Sequence, residues 1–290
     1  MTDSEQQVVR KSRAGRDLPA AIAVGLALFG SVVATLVWWP PGFMIFIVVL
    51  TSLGSIEVHH ALGRVGMTSV VVPVVIGNIA IIGGSYAAAV LQPVTQIPWH
   101  VVLLGTIGGS VLLALMWRMF KGADGYARDS AASIFIIGYI PVLASFIGLI
   151  LAQPHGVAKA VAVLLCIVGS DTGGYAAGAS LGRHPMVPTI SPKKTWEGLA
   201  GSVLLASLVS VAHFVFVMHQ PWWLGLLLAI VVVIFGTAGD LIESMIKRDV
   251  GIKDMSSFLP GHGGVMDRID SMLVAAPAAW LVFTLLGVAQ

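Results

Sequence analysis

Long apolar runs separated by short polar segments dominate this chain. A membrane-spanning helix needs about 20 mostly apolar residues, and the sequence contains nine runs of roughly that length. Lipid-exposed irregular backbone is too costly in hydrocarbon, and the alternating strands of a membrane barrel do not occur in the sequence. The pattern therefore predicts an all-α fold, a polytopic integral membrane helical bundle of nine transmembrane helices. The predicted spans are residues 18–39, 42–62, 68–92, 98–117, 131–152, 157–180, 197–219, 221–243 and 266–288.

Basic residues are distributed unequally between the two sides of this predicted bundle. Cytoplasmic loops of membrane proteins carry an excess of Lys and Arg, whereas loops such as residues 152–156 and 219–223 carry none. We therefore expect a cytoplasmic N-terminus, an external C-terminus, and a multi-pass protein of the cell (plasma) membrane whose active site faces the cytoplasm. The basic residues on the predicted cytoplasmic side are Arg10, Lys11, Arg13, Arg16, Arg64, Arg118, Lys121, Arg128, Arg183, Lys193, Lys194, Lys247, Arg248, Lys253 and Arg268.

Composition narrows the classes of function. Of the 290 residues, 57% are hydrophobic and 10% are charged, and the mean hydropathy is +0.93. The net charge of +2 is too small to indicate nucleic-acid binding. The single cysteine, Cys166, excludes an intrachain disulfide and a metal site built from several thiolates. The run at residues 18–39 is longer than the apolar part of a signal peptide, which predicts a retained helix.

Polar residues are concentrated in the second half of the chain. Residues 1–17 predict a cytoplasmic tail, residues 18–152 a transmembrane scaffold, and residues 153–290 a catalytic half. The scaffold contains five predicted helices and the catalytic half four. Two long cytoplasmic loops, residues 181–197 and 245–266, belong to the catalytic half. No internal repeat is visible, which argues against a transporter built from inverted repeats.

The eighth predicted span ends in a polar helix face. Residues at i, i+3, i+4 and i+7 share one side of a helix, and here they are Asp240, Glu243, Ser244 and Lys247. Glu243 is explained either by an ordinary i,i+4 ion pair with Lys247 or by contact with a metal or substrate. Asp240 lies deeper and has no basic residue at i+4, and a buried acid without a partner protonates or binds a cation. Asp240 is therefore the first candidate ligand and Glu243 the second.

The loop that follows contains glycines beside ionisable residues. Gly263 and Gly264 would let backbone N–H groups approach a phosphate, and Lys253 would supply a point charge. Glycines also serve ordinary turns, so the loop alone is weak support for a phosphate site. Asp254 belongs to the same loop. His262, between glycines, is either a phosphate donor, an acid or base, or a solvated loop residue.

Two acids open the last predicted span. Asp267 and Asp270 lie one helical turn apart. Acids in a first turn favour the helix dipole, by about 0.3–1 kcal/mol each, which is one explanation of both. Carboxylates in this arrangement also suit Mg²⁺, which binds carboxylate, water and substrate phosphate oxygens. With Asp240 they would supply convergent carboxylates from two helices, as phosphoryl and nucleotidyl transfer require.

Three further polar features remain open to two explanations. Asp171 lies in a glycine-containing segment that interrupts the sixth span, and either lines a cavity or pairs with a basic residue of a neighbouring helix. Lys193 and Lys194, within residues 191–198, precede the start of a helix, and suit an anion site or serve only membrane orientation. Glu57, near the inner end of the second span, has either a site role or a structural one.

These segments together resemble the phosphatidate cytidylyltransferase (CDP-diglyceride synthase) family. The resemblance covers residues 168–271 and includes two shorter motifs, residues 171–175 and 191–198. Gly174 stands where the family more often has Ala. The family's C-terminal signature is met by Ser244, Lys247, Arg248, Lys253, Asp254, His262, Gly263, Gly264, Asp267, Arg268 and Asp270.

The resemblance implies that CTP and phosphatidic acid react to CDP-diacylglycerol and pyrophosphate, with Mg²⁺ as cofactor. Whether a monovalent cation such as K⁺ accompanies Mg²⁺ is open, and a homodimer is expected from the resemblance alone. The implied catalytic residues are Asp240, Asp267, Lys247, Arg248, His262 and Arg268. The predicted metal ligands, which include the two acids selected above from the polar helix face, are Asp240, Asp267, Asp270 and Glu243. The implied substrate-binding residues are Asp171, Ser191, Lys193, Lys194, Thr195, Glu197, Ser244, Lys253, Asp254, Gly263 and Gly264.

Three other functions are compatible with parts of the pattern. A secondary transporter would place acids in helices and break a span at Gly173 and Gly174, but it leaves the gathering of acids at the cytoplasmic side unexplained. A CTP-using lipid or polyprenol kinase is chemically closer and would release CDP instead of pyrophosphate. A structural membrane scaffold does not account for so many ionisable groups near one surface.

Overall fold

The computed structural model describes residue 27 and residues 30–258 and 263–288. Within these residues, 8 helices are long and apolar enough to cross a membrane, and the predicted polytopic helical bundle is confirmed. The helices are α1 Pro40–Gly63, α2 Val71–Thr95, α3 Trp99–Met119, α4 Tyr126–Leu151, α5 Gly156–Leu181, α6 Trp196–Phe216, α7 Trp222–Asp249 and α8 Met266–Leu285.

The predicted first span, residues 18–39, falls mostly outside the described residues. Its described end is helical at residues 30–38 and leads into α1 through Trp39. Pro40 and Pro41 then occupy the first turn of α1, where the missing N–H of proline costs no intrahelical hydrogen bond. The orientation of the termini across the membrane stays a prediction.

Helices α2 and α4 each contain one turn of wider helix. In α2 the π-helical segment is Ile79–Gly83, and in α4 it is Gly138–Val142. Pro141 lies inside the second segment and has no backbone N–H to donate. A π-helical turn absorbs such a break in the hydrogen-bond ladder, so α4 continues past Pro141 to Leu151.

Glycines bring α5 and α6 into backbone contact. A Cβ atom at Gly173 would lie 2.3 Å from the carbonyl oxygen of Gly201, and one at Gly174 would lie 2.5 Å from Oγ of Ser202. Small residues permit this close approach of membrane helices. The segment around Asp171 was expected to interrupt its span, but α5 is continuous there because these glycines serve helix packing.

A small antiparallel sheet fills the predicted cytoplasmic loop at residues 181–197. Strand β1 (Pro185–Val187) pairs with β2 (Ser191–Thr195), and β2 leads directly into α6. Thr195 ends the hairpin and caps α6, because its hydroxyl accepts the backbone N–H of Gly198 at 3.1 Å. The hairpin lies beside the ends of α5 and α6.

A buried ion pair closes the loops at one end of α1 to α4. Arg118 Nε donates to Asp129 at 3.0 Å, and the same guanidinium donates to the carbonyl oxygens of Gly122 and Asp124. Asp129 also accepts the backbone N–H of Thr68 at 2.9 Å. Helices α1 and α4 in turn pack directly against α8. The division of the chain into a scaffold and a catalytic half therefore stays a prediction about function, since the halves share one apolar core.

Candidate active site

One cavity of about 340 Å³ lies between α5, the hairpin, α6 and α7. Its walls combine charged groups with an apolar floor formed by Ile167, Leu199 and Val232. The polar lining residues are Ser170, Asp171, Tyr175, Ser191, Lys193, Lys194, Thr195, Ser202, Thr237, Asp240 and Ser271. Six of the predicted site residues, from three separate stretches of sequence, therefore meet at one cavity: Asp171, Ser191, Lys193, Lys194, Thr195 and Asp240.

Asp240 lies at the centre of the charged wall. One carboxylate oxygen accepts a hydrogen bond from Lys194 Nζ at 2.5 Å, and the other accepts the hydroxyl of Ser271, also at 2.5 Å. The side chains of Lys194 and Asp240 are 25% and 31% exposed. The basic partner that Asp240 lacks on its own helix thus comes from the hairpin, 46 residues away in sequence.

Gly239 allows α8 to pack closely against α7 beside Asp240. A Cβ atom at this position would lie 2.5 Å from the backbone oxygen of Asp270 and 3.1 Å from Cα of Ser271. Only a glycine allows the two helices to approach this closely without displacement of backbone atoms. The contact places the first turns of α8 beside the polar end of α7.

Lys247 bridges two acids from different helices. Its Nζ atom donates to Glu243 at 2.5 Å and to Asp267 at 2.7 Å. The pair with Glu243 is the i,i+4 pair that the sequence offered as one explanation. The pair with Asp267 joins α7 to the start of α8, and all three side chains are mostly buried, at 14% exposed for Lys247, 2% for Glu243 and 9% for Asp267.

Backbone amides of the preceding loop complete the surroundings of Asp267. Its Oδ2 atom accepts the N–H groups of Gly264 at 2.7 Å and Met255 at 3.1 Å. Gly263 has a φ of 81°, a conformation that favours glycine, and a Cβ atom there would lie 2.9 Å from the same carboxylate oxygen. The two glycines therefore wrap a carboxylate of the protein itself.

Four carboxylates gather where α7 meets α8. Asp270 is 8% exposed and lies within electrostatic range of Asp240 and Glu243. The Oε1 atom of Glu243 is buried and has no hydrogen-bond donor among the described residues. The carboxyl group of Asp267 adjoins that of Glu243. Such a cluster is stabilised by cations, because like charges in a buried site repel one another.

The donor set of this cluster suits Mg²⁺ chemically. Mg²⁺ binds carboxylate oxygens and keeps several water or substrate ligands, and the unpaired Oε1 of Glu243 is an available oxygen. In the described part of the chain, no three His, Cys, Asp or Glu side chains are placed so that together they could hold a metal ion. Of the four acids, Asp240 is the one that lines the cavity.

Several predicted residues lie outside the cavity wall. Glu197 accepts the backbone N–H groups of Arg183 and His184, each at 3.2 Å, and so holds the start of the hairpin. Arg248 Nε donates to the carbonyl oxygen of Ile190 at 3.3 Å, which ties the end of α7 to the hairpin turn. Ser244 is half-buried on α7, and Lys253, Asp254 and Arg268 are exposed. His262 lies outside the described residues.

Two residues were missed or left undecided from sequence. Ser271 binds Asp240 directly and could have been found, since it lies one turn after Asp267 on the same helix face. Glu57 lies at the N-terminus of α8, where it accepts backbone N–H groups of Val265 and Met266. No local sequence signal links it to residues about 200 positions further along the chain.

The fold and this cavity define a class, a helical membrane protein with a cavity lined by both lysines and acids. The chain belongs to the cytidylyltransferase family, whose profile matches residues 19–286. It is 37% identical to the phosphatidate cytidylyltransferase of Mycobacterium bovis, over 97% of this chain and 93% of the relative. The phosphatidate cytidylyltransferase of Mycobacterium leprae is 36% identical, over 97% of this chain and 92% of the relative.

A further relative matches about half of this chain. The phosphatidate cytidylyltransferase of Staphylococcus epidermidis is 38% identical over 150 residues, which is 51% of this chain and 57% of the relative. The family resemblance derived from the sequence motifs is therefore confirmed, as is the prediction of a nucleotidyltransferase.

Proposed function

We propose that this protein transfers the cytidylyl group of CTP to phosphatidic acid, which gives CDP-diacylglycerol and pyrophosphate. The relatives that match along nearly the whole chain are named for this reaction. The observation that supports it most directly is the cavity that Lys193, Lys194, Asp171 and Asp240 line together. Lysines neutralise phosphate oxygens, and the acids suit a divalent cation bound to the same phosphates.

The attacking group in this reaction needs little activation. A phosphate monoester has a second pKa of about 6, so the lipid phosphate is already ionised near neutral pH. The work of the site is to hold two anionic phosphates in contact and to neutralise the charge that passes to pyrophosphate. Lys193 and Lys194 would carry this out from the hairpin, and Lys247, Arg248 and Arg268 from the ends of α7 and α8.

The ion pair of Lys194 with Asp240 provides a way for the site to respond to substrate. Lys194 binds the Asp240 carboxylate at 2.5 Å, and both side chains border the cavity. An arriving phosphate is a competing acceptor for the ammonium group, and it would free a carboxylate oxygen of Asp240. Asp240, Asp267, Asp270 and Glu243 are the residues that would hold Mg²⁺, which supplies charge neutralisation at phosphoryl oxygens.

The apolar part of the cavity suits a substrate with two acyl chains. Ile167, Leu199 and Val232 line it beside the charged groups. Tyr175, near the end of α5, lines the cavity and is also 81% exposed. The cavity therefore reaches the outer surface of the bundle at α5, where a lipid could enter sideways.

Transfer of label distinguishes this reaction from its nearest alternative. The purified protein in mixed micelles is incubated with phosphatidic acid, Mg²⁺ and CTP labelled at either the α- or the γ-phosphate. We expect the α-label in lipid and the γ-label in pyrophosphate. The γ-label in lipid would identify a kinase, and absence of label from lipid would overturn the proposal. Asp240→Asn should lose transfer, and Asp129→Asn, a buried acid away from the cavity, should keep it.

The cytoplasmic position of the site is part of this proposal and is tested by cysteine labelling. Cys166 is fully buried, so a membrane-impermeant thiol reagent would report on an introduced cysteine. Lys253→Cys should react in inside-out vesicles and not in intact cells, and His219→Cys should show the opposite pattern. The reverse result would place the site outside. The homodimer expected from the family resemblance is tested separately, by native mass spectrometry of the protein in nanodiscs.

A further inference from the structure

Glu57 of α1 binds the loop and the helix start that carry Asp267. The residue is 7% exposed. Its Oε1 atom accepts the backbone N–H of Val265 at 2.9 Å and the hydroxyl of Ser256 at 2.5 Å. Its Oε2 atom accepts the backbone N–H of Met266 at 2.8 Å. All three donors belong to the predicted catalytic half, although Glu57 belongs to the predicted scaffold.

These bonds replace a missing helix cap. The first N–H groups of a helix have no partner within the helix and are usually satisfied by the side chain of the N-cap residue. The N-cap of α8 is Val265, which makes no side-chain cap bond. Glu57 therefore caps α8 from another helix, and its negative charge lies at the positive end of the helix dipole.

Packing around Glu57 leaves little freedom. A Cβ atom at Gly264 would lie 2.7 Å from Glu57 Oε2, so this position must be glycine for the carboxylate to reach the backbone. Gly54, one turn earlier on α1, faces the same helix start, with a Cβ position 3.5 Å from Ile269 and 3.6 Å from the sulfur of Met266. The contact between α1 and the first turn of α8 is thus close on both sides of Glu57.

The same short stretch of backbone is held by Glu57 on one side and by Asp267 on the other. Asp267 accepts the N–H of Gly264, and Glu57 accepts the N–H groups of the next two residues, Val265 and Met266. A shift of this stretch would therefore move Asp267 relative to Lys247. We propose that Glu57 is a positioning residue for the reaction, which fixes the direction of the first turn of α8 and with it Asp267 and Asp270. This inference rests on the proposed function of the cavity.

Glu57→Gln tests this role with little change of volume. Gln presents an amide N–H₂ group in place of one carboxylate oxygen, so at least one of the three donors loses its acceptor. We expect kcat for cytidylyl transfer to fall about tenfold, while KM for CTP changes less than twofold. We also expect backbone amides of residues 263–268 to exchange hydrogen at least tenfold faster, with exchange in α5 and α6 unchanged.

Asp129→Asn is the matched control, because it also changes a buried acid of the predicted scaffold that accepts a backbone N–H. The bonded partners of Asp129 described above all precede residue 152. We expect this variant to lower thermal stability while kcat and exchange at residues 263–268 stay at the wild-type values. Equal acceleration of exchange in both variants would show that Glu57 is merely structural and would overturn the inference.

Ser256→Ala is the second variant, and it keeps the test open if Glu57→Gln fails to fold. It removes one of the three donors, so we expect a smaller loss of kcat, about threefold, and local acceleration of exchange. If Glu57→Gln does not fold, wild-type kcat and exchange in Ser256→Ala would overturn the role of Glu57. If it folds, wild-type values in both Glu57→Gln and Ser256→Ala would do so, and either result leaves the proposed reaction intact. Absence of transfer in the wild-type protein would instead overturn the reaction, while the exchange data would still report on the cap.

Discussion

Two ion pairs, one in each half of the chain, show how differently the halves use buried charge. Arg118 and Asp129 are 4% and 7% exposed, and Lys194 and Asp240 are 25% and 31% exposed. The first pair is surrounded by further partners in its own loops, including the carbonyl oxygens of Gly122 and Asp124. The second pair borders the cavity.

The difference teaches that burial alone does not identify a functional charge. The closed pair is almost fully buried and binds loop carbonyl oxygens as well, so it fastens loops. The open pair faces space in which a phosphate or a cation can replace one partner. Removal of one member of a closed pair should therefore act on stability, and removal of a member of the open pair should act on activity.

Asp267→Asn should produce the largest effect on activity. The change removes the charge that Lys247 binds at 2.7 Å, and it removes a carboxylate proposed to hold Mg²⁺. We expect cytidylyl transfer to fall at least about a hundredfold, the size of loss typical when a single electrostatic contact of a transition state is removed. The measurement is α-label transfer to lipid, with membrane insertion and thermal unfolding as controls. Activity near wild type would contradict the metal assignment.

Arg118→Met should have the largest effect on stability. The change leaves the Asp129 carboxylate buried without its main cation, and removal of one partner of a buried pair costs about 3–5 kcal/mol. We expect that loss in the free energy of unfolding in detergent, with activity per folded molecule within twofold of wild type. Loss of activity at full stability would show that this pair does not serve to hold the loops together. The two ion pairs would then no longer differ in the property that they support.

Lys194→Met should have an intermediate effect, and it should lower activity while stability is kept. A hydrogen bond to a charged group contributes about 1.5–3 kcal/mol, so kcat/KM should fall roughly 10–100-fold while the fold is kept. Lys159→Met is the matched control, because Lys159 is 3% exposed and donates to Gln153 at a distance from the cavity. We expect the control to lose stability and keep kcat/KM. Similar activities of the two variants would contradict the role of Lys194.

The membrane architecture was predictable because hydropathy is a local property of the chain. The spans at residues 98–117 and 157–180, for example, correspond closely to Trp99–Met119 and Gly156–Leu181. The identity of the charged cluster was also predictable, since ionisable residues are rare in such a chain and their spacing places them on helix faces. Asp240 and Glu243 were selected in this way.

Contacts between distant segments were not predictable from the same pattern. Lys194 meets Asp240 only because a hairpin forms in a loop that carries no long strand signal. Glu57 meets Ser256 across 199 residues, and nothing near Glu57 in sequence marks this contact. The glycines of α5 suggested a broken span, because sequence does not show whether a glycine loosens a helix or admits a neighbouring one. Tertiary packing decides each of these cases.

The smallest expected effects come from replacing one serine by alanine beside each ion pair. Because the substitution is the same in both halves, the two variants compare the ion pairs directly. Ser133 accepts the backbone N–H of Val70 at 3.0 Å beside the closed pair, and Ser271 donates to Asp240 at 2.5 Å in the open pair. A single hydrogen bond contributes about 0.5–1.5 kcal/mol. The Ser133 hydroxyl also donates to the carbonyl oxygen of Asp129 at 2.9 Å. Ser133→Ala therefore removes two hydrogen bonds and should lower the free energy of unfolding by about 1–3 kcal/mol while kcat stays unchanged.

Ser271→Ala should leave the free energy of unfolding nearly unchanged, since the Asp240 carboxylate keeps Lys194 and its contact with the cavity. The freed oxygen loses its orientation, and we expect kcat to fall about two- to tenfold, which corresponds to the same energy per hydrogen bond. Unfolding in detergent and label transfer, measured on both alanine variants, give the two readouts. If both serines act on stability alone, the open pair is structural as well, and the reaction must be assigned to the cluster around Lys247.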